Sequence, residues 1–182
     1  MKQILIIAFL GFLFLSYGQK RVHFDELNYI IEENAYYHDG KLFSGLAFNM
    51  VNNFLEEEGS YLNGKKDGIT KIWFQNSDQI WMQENYKNGE LNGISRSWYR
   101  NGNINTEEYY DNGLIDSLYK QFHENGKLYI EVQYKNGMRN GYFRTYYTNG
   151  QLYSEDIYKK GKHLFRKTKC WDIKGNQIEC EF

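Results

Sequence analysis

Tyrosines stand at Tyr37, Tyr61, Tyr86, Tyr110, Tyr134 and Tyr158, spaced 24, 25, 24, 24 and 24 residues apart. Three residues after each comes a glycine: Gly40, Gly64, Gly89, Gly113, Gly137 and Gly161. Gly68, Gly93 and Gly141 recur seven residues after their tyrosine. Aromatic pairs follow at twelve and thirteen: Trp73-Phe74, Trp98-Tyr99, Phe122-His123 and Tyr146-Tyr147. A unit of two dozen residues is too short to bury a core of its own. A chain built this way must stack each unit on its neighbours, so the repeat dictates an extended array.

The turns account for the period. Asn63-Gly64, Asn88-Gly89, Asn112-Gly113 and Asn136-Gly137 close one end of the units, and Asn101-Gly102, Asn125-Gly126 and Asn149-Gly150 the other. Asn-Gly favours a type I′ turn, whose two central residues need positive φ. Two reversals per unit leave two strands of about six to eight residues, which is strand length rather than helix length. Composition agrees: aromatics make up 18% of the chain, 17 residues are Tyr and none is Pro, as in many short strands joined by tight turns. The expected fold is all-β, an elongated single-layer antiparallel meander of about six hairpins. Eleven or twelve strands exceed the roughly ten that open sheets carry without curling, so pronounced twist is expected.

Charge provides a register test. A two-residue turn at Asn149-Gly150 pairs Tyr147 with Leu152, Tyr146 with Tyr153 and Arg144 with Glu155. The same construction sets Lys120 opposite Glu131 and Arg96 opposite Glu107, while the longer Asn76-Ser77-Asp78 unit sets Lys71 opposite Gln83. Each opposite-charge pair contributes only about 0.2–1 kcal/mol, so its value is as a marker. Alternation then assigns Trp73, Trp98, Phe122 and Tyr146 to one face, with the basic column Lys71, Arg96, Lys120 and Arg144. The other face is expected to carry Phe74, Tyr99, His123 and Tyr147 against Ile80, Ile104, Leu128 and Leu152.

Residues 1–18 read as a secretory leader. Lys2 supplies the positive start, Ile4 to Leu15 the apolar run, and Ser16-Tyr17-Gly18 the small residues before a cut at Gln19. The run is too short to span a bilayer, which needs about 20 residues. No cysteine follows it, so a lipid anchor is not expected. The exported chain would act in the periplasm or outside the cell. Residues 19–36 depart from the repeat and are expected to cap it, with Val22 to Leu27 forming a strand or short turn over the first edge. Residues 37–172 hold the repeats and 173–182 form a closing strand.

These columns of Tyr-x-x-Gly, Gly and Trp/Tyr-aromatic residues resemble the MORN repeat, in the bacterial variant grouped with YwqK-type antitoxins. The resemblance runs from about Tyr37 to Asp172 and is strong in four units. In the first unit Gly45 falls one residue late and Met50-Val51 replaces the aromatic pair; the last lacks Asn-Gly at its tip. The resemblance implies a single-layer sheet and a role in protein or membrane-surface contacts. It brings no catalytic residues.

The only two cysteines, Cys170 and Cys180, flank a loop centred on Gly175 that would set them opposite each other. In an oxidising compartment they are expected to form a disulfide. His23, His38, His123 and His163 show no metal-ligand spacing, and Gly-x-Ser-x-Gly, Cys-x-x-Cys and phosphate-loop patterns are absent. Glu107, Glu131 and Glu155 recur, yet a carboxylate facing a cation is held ionised, the wrong state for a general acid. No enzyme, metal or other cofactor is expected. The near balance of 22 basic and 23 acidic residues gives no footprint for nucleic acid. Trp, Tyr and Arg are the types enriched at binding hot spots, so the expected partner is another protein. Membrane-surface binding through the basic column is the alternative, and sugar stacking on the Trp and Tyr rows comes third.

Overall fold

The computed structural model describes residues 20–165 and 168–180; the expected leader, residues 1–18, lies outside them. The chain opens with β1 (Arg21–His23), a 3-10 turn over Phe24–Glu26, β2 (Asn28–Ile30), a second 3-10 turn over Ile31–Glu33, and the hairpin β3 (Ala35–His38) and β4 (Lys41–Leu42). The repeats follow as β5 (Gly45–Val51), β6 (Phe54–Leu62), β7 (Lys65–Trp73), β8 (Ile80–Lys87), β9 (Glu90–Leu91) and β10 (Gly93–Trp98). They continue through β11 (Ile104–Asp111), β12 (Leu114–Phe122), β13 (Leu128–Lys135), β14 (Met138–Tyr146) and β15 (Leu152–Lys159). The short strands β16 (Lys162–His163), β17 (Lys169–Trp171) and β18 (Gln177–Ile178) end the array.

Fifteen strands form one open sheet in which sequential neighbours pair antiparallel; β1 alone runs parallel, to β5. The first hairpin departs from the uniform meander expected of it. With β2 it forms a separate three-stranded sheet, β2-β3-β4. It stays tied to the array through the backbone: Tyr36 N–H donates to the Gly64 carbonyl at 2.8 Å and Gly64 N–H to the Phe43 carbonyl at 2.7 Å. Over this junction lies the cluster Val22, Phe43, Ala47 and Tyr61, with Phe24, Leu27 and Tyr36 against it. The residues before the repeat thus make both a strand and a turn at the first edge. The Glu26 carboxylate accepts from His23 N–H at 3.0 Å and starts the 3-10 turn that brings Phe24 back.

The two ends of the units use different turns. At one end Asn63, Asn88, Asn112 and Asn136 have φ of 50°, 52°, 47° and 50°, each followed by a glycine of positive φ, the expected type I′ geometry. At the other end only the glycine of each pair is left-handed. Gly150 N–H donates to the Tyr147 carbonyl and Tyr147 N–H to the Gln151 carbonyl, both at 2.8 Å, and Asn101-Gly102 and Asn125-Gly126 repeat the pattern. This is a type I turn followed by a glycine bulge, which adds one residue to the returning strand.

That bulge corrects the expected register close to the turn. Arg144–Glu155, Lys120–Glu131, Arg96–Glu107 and Lys71–Gln83 stand opposite each other as read from the sequence. Beyond the bulge, Tyr146 faces Leu152 rather than Tyr153, and Trp73, Trp98 and Phe122 face Ile80, Ile104 and Leu128. The aliphatic column therefore belongs to the Trp73 face, not to the face of Phe74, Tyr99, His123 and Tyr147. Tyr147 closes the turn instead of pairing with Leu152.

The last hairpin turns at Asp172 to Gly175, where Gly175 N–H donates to the Asp172 carbonyl at 2.9 Å. The same offset places Cys170 opposite Ile178, so Cys180 is reached diagonally rather than directly. The Cys170–Cys180 disulfide is formed, with Cα atoms 5.3 Å apart.

Candidate interaction surface

Trp73, Trp98, Phe122 and Tyr146 share a face with Lys71, Arg96, Lys120 and Arg144, and all eight are half-buried. The register joins the basic residues to their neighbours in one row across the sheet: Glu58, Lys71, Gln83, Arg96, Glu107, Lys120, Glu131, Arg144, Glu155 and Lys169. Charges alternate along it with a single neutral break at Gln83. Arg96 Nε lies 2.8 Å from Glu107, and Arg144 reaches Glu155 at 2.7 Å and Glu131 at 3.6 Å. Glu131 turns to Arg144 on the following strand, so the Lys120–Glu131 pair shares a register position without an ion contact within 4.0 Å. Among the described residues Lys71 likewise has no such contact. Half of the basic column, Arg96 and Arg144, is therefore spent within the sheet.

Two apolar rows flank this charged row. One is Trp73–Ile80, Trp98–Ile104, Phe122–Leu128 and Tyr146–Leu152. The other, two residues before each cation, holds Ile69, Ile94, Leu118 and Tyr142, with Tyr109 opposite Ile94, Ile157 opposite Tyr142, and the polar Asn85 and Gln133 opposite Ile69 and Leu118. Ile69, Ile94 and Tyr109 are 43%, 39% and 44% exposed. Sequence reasoning missed this second row, although its recurrence at Ile69, Ile94, Leu118 and Tyr142 was available two residues before each cation.

Tyr99, His123 and Tyr147 sit where the type I turns begin, and Phe74 opens the longer loop that its N–H closes to the Gln79 carbonyl at 3.0 Å. Three of them fasten one unit to the next: Tyr99 Oη donates to the Phe122 carbonyl at 2.7 Å, His123 Nε2 lies 3.2 Å from the Tyr146 carbonyl, and Tyr147 Oη donates to the Trp171 carbonyl at 3.1 Å. Asn101, Asn125 and Asn149 make the same step, their side-chain amides donating to the carbonyls of Glu124, Thr148 and Ile173.

The opposite face is packed more closely. Thr70, Ser95, Ser97 and Ser154 are buried there, and hydroxyl pairs Ser97–Thr106 and Thr145–Ser154 cross the strands at 2.8 and 2.7 Å. The repeat tyrosines line this side. Tyr86 donates to Glu84 at 2.8 Å and Tyr110 to Glu108. Burial, then these carboxylates, raise both phenols above their ordinary pKa. Burial does the same to Tyr61, whose hydroxyl has no hydrogen-bond partner among the described residues. Tyr37 donates to Glu33, and Tyr158 accepts from Arg139 at 3.4 Å while the guanidinium lies over its ring. The turn glycines Gly89, Gly113, Gly137 and Gly161 each donate to a carbonyl of the preceding unit, at Lys66, Leu91, Ile115 and Arg139, and Gly40 completes the first turn.

No group of three or more His, Cys, Asp or Glu side chains is gathered for a metal among the described residues. One open cleft lies between Tyr36, Gly64, Lys66 and Tyr86, and another between Phe24, Asn49, Glu57 and Tyr61. Nor is any helix among the described residues long and apolar enough to cross a membrane.

An open sheet of stacked hairpins with ion pairs along one face defines a repeat array. Three consecutive units, residues 91–112, 115–136 and 139–160, match the family model described as MORN repeat variant. Each matched window begins two residues past a type I′ glycine and ends on the first central residue of the next turn. No curated protein matches the chain.

Proposed function

We propose that this protein is an exported, non-enzymatic scaffold whose Trp73–Tyr146 face docks a partner protein. The observation that carries the reading is the pair of apolar rows bracketing a charge ladder that largely neutralises itself. Exposed apolar side chains beside ion pairs already satisfied resemble the core and rim of a protein interface. Arg96 and Arg144 are held by glutamates, so the ladder offers little net attraction to anionic lipid. Trp73, Trp98, Phe122 and Tyr146 would supply the buried part of the contact, and Lys71 and Lys120 its free cations.

Export is supported by the leader-like residues 1–18 and by the Cys170–Cys180 bridge, since disulfides persist where thiols are not kept reduced. An antitoxin- or immunity-like role, implied by the resemblance to YwqK-type proteins, is one form such docking would take. Its target would have to be met outside the cytosol.

The test is affinity capture from the exporting cell with the wild-type chain and with Ile94→Asp/Tyr109→Asp, two exposed positions whose change spares the core. A protein recovered by the wild type and lost by the variant supports the reading. Equal recovery removes this face as the site, and no specific recovery removes the function.

A further inference from the structure

The first central position of the type I′ turns forms a column down one edge of the array: Asp39, Asn63, Asn88, Asn112, Asn136 and Lys160. All six are left-handed, with φ between 47° and 52°. Four are asparagine, which tolerates that backbone well. The first is an acid and the last a base. Lysine is a poor residue for a left-handed position, and Lys160 is not alone there. Lys159 stands directly opposite Lys162 across the same turn. Like charges directly opposed destabilise a hairpin, and none of the three lysines has a carboxylate within 4.0 Å among the described residues. The turn is held by Lys160 N–H to Asn140 Oδ1 at 3.2 Å, which leaves the repulsion between its lysines in place.

The other end of the edge is the electrical complement. Residues 20–58 hold three basic and eight acidic side chains, whereas residues 134–182 hold ten basic and five acidic. Of the three head cations, Arg21 is tied to Glu58 and Lys20 lies 3.7 Å from Asp39, leaving Lys41. Glu32 and Glu33 have no Lys or Arg partner within 4.0 Å among the described residues, and the Asp39 side chain stays 81% exposed. The two most exposed large apolar residues described also divide between these ends. Ile31, 78% exposed, precedes Glu32-Glu33, and Phe165, 73% exposed, follows the lysine turn.

We propose that copies of this protein associate head to tail, the Lys159-Lys160-Lys162 turn and Phe165 of one copy meeting the Ile31-Glu32-Glu33 turn and Asp39 of the next. The lysine turn and Asp39 hold the same type I′ position in the last and first units, and the Ile31–Glu33 turn closes the other end of the short strand β3 that leads to Asp39. A contact between unlike patches leaves each copy with one free end of each kind, so it is heterologous and grows into linear assemblies unless the rotation closes. The lysine column is then completed by acids from the neighbouring copy.

Sedimentation velocity on the purified protein tests this at ~10 mM and ~1 M salt, where the screening length falls from ~30 Å to ~3 Å. The expected result is a sedimentation coefficient that rises with protein concentration at low salt, with association weakened at least tenfold at high salt. Lys159→Glu/Lys160→Glu/Lys162→Glu and Glu32→Lys/Glu33→Lys should each remain monomeric alone. Mixed together they should associate again, because each reversed patch finds its complement in the other variant. A coefficient independent of concentration at low salt overturns the proposal, as does association that survives both charge reversals. Flotation with anionic vesicles that the lysine reversal abolishes, in a chain that never self-associates, assigns the patch to a membrane and also overturns it.

Discussion

Ser117 holds, at φ of 110°, the position that Gly141 occupies one repeat later at 121°. Here the strand leaving the type I′ turn bulges before regaining its register, and the column is otherwise filled by Gly68 and Gly93. Side chains with a Cβ rarely adopt such a backbone. Ser117→Gly should therefore raise the stability of the array by about 1 kcal/mol, the strain relieved less the added chain entropy. Gly141→Ser should lower it. Thermal or urea unfolding of the pair reads both signs, and a destabilised Ser117→Gly chain would contradict the account.

Tyr61 is 3% exposed and its hydroxyl meets no partner among the described residues. Removing an unsatisfied buried hydroxyl while keeping the ring should help, so Tyr61→Phe is expected to gain about 1 kcal/mol. Burial raises the Tyr61 phenol, and burial then donation to Glu84 and Glu108 raises Tyr86 and Tyr110. In the unfolded chain these groups ionise near pH ~10. The folded state then binds more protons than the unfolded state above that pH. Stability should be whole below pH ~10 and fall as pH climbs toward the folded values. Denaturation followed from neutral to strongly alkaline pH should show that fall, and it should be shallower in Tyr86→Phe/Tyr110→Phe.

Arg144 and Lys120 share a column but not a role. Arg144 touches two glutamates and lies 3.8 Å over the Tyr142 ring, whereas Lys120 has no carboxylate within 4.0 Å among the described residues. Arg144→Met should cost about 1 kcal/mol, less at high salt, and Lys120→Met under about 0.5 kcal/mol. Equal losses in urea titrations would show that the ladder does not act through its ion contacts.

Gly64 and Gly113 take the same turn position with φ of 77° and 76°. A Cβ on Gly113 meets open space, while one on Gly64 would lie 2.8 Å from the Tyr36 carbonyl oxygen and 2.9 Å from Leu42. Gly113→Ala should cost about 1 kcal/mol from the backbone alone. Gly64→Ala should cost distinctly more and loosen the N-terminal cap. Hydrogen exchange at residues 35–43 separates the two.

The Cys170–Cys180 bridge closes a short loop, worth about 2–3 kcal/mol by the loop-closure model. Stability in stacked repeats is mostly nearest-neighbour, so reduction should release exchange at residues 169–178 and leave the units around Tyr110 protected. Loss of protection throughout the array on reduction would show that the end hairpin holds more than itself.

The hairpins, their period and the Arg96–Glu107 and Arg144–Glu155 registers were legible in the chain because each depends on residues less than a dozen positions apart. Asn-Gly marked where the chain reverses, and counting outward from it found the partners. What counting could not reveal was which turn each Asn-Gly would make. Asn112 becomes left-handed and Asn149 does not, and that single torsion moves Leu152 from beside Tyr147 to opposite Tyr146. The choice follows from how the flanking strands twist and stack against neighbouring units.

The amino-acid order alone determined that this protein is a stack of β-hairpins closed by a disulfide, since local turn chemistry and a fixed period suffice for that. Only the tertiary structure decided that Arg96 and Arg144 are spent in ion pairs while Lys71 and Lys120 are not, that two rows of largely apolar residues flank them, and that Asp39 and Lys160 hold the same turn position in the first and last units. The ladder steps from Glu131 into the next strand at Arg144, and Asp39 and Lys160 are 121 positions apart. These relationships exist only once the units have stacked, because stacking sets which side chains share a row.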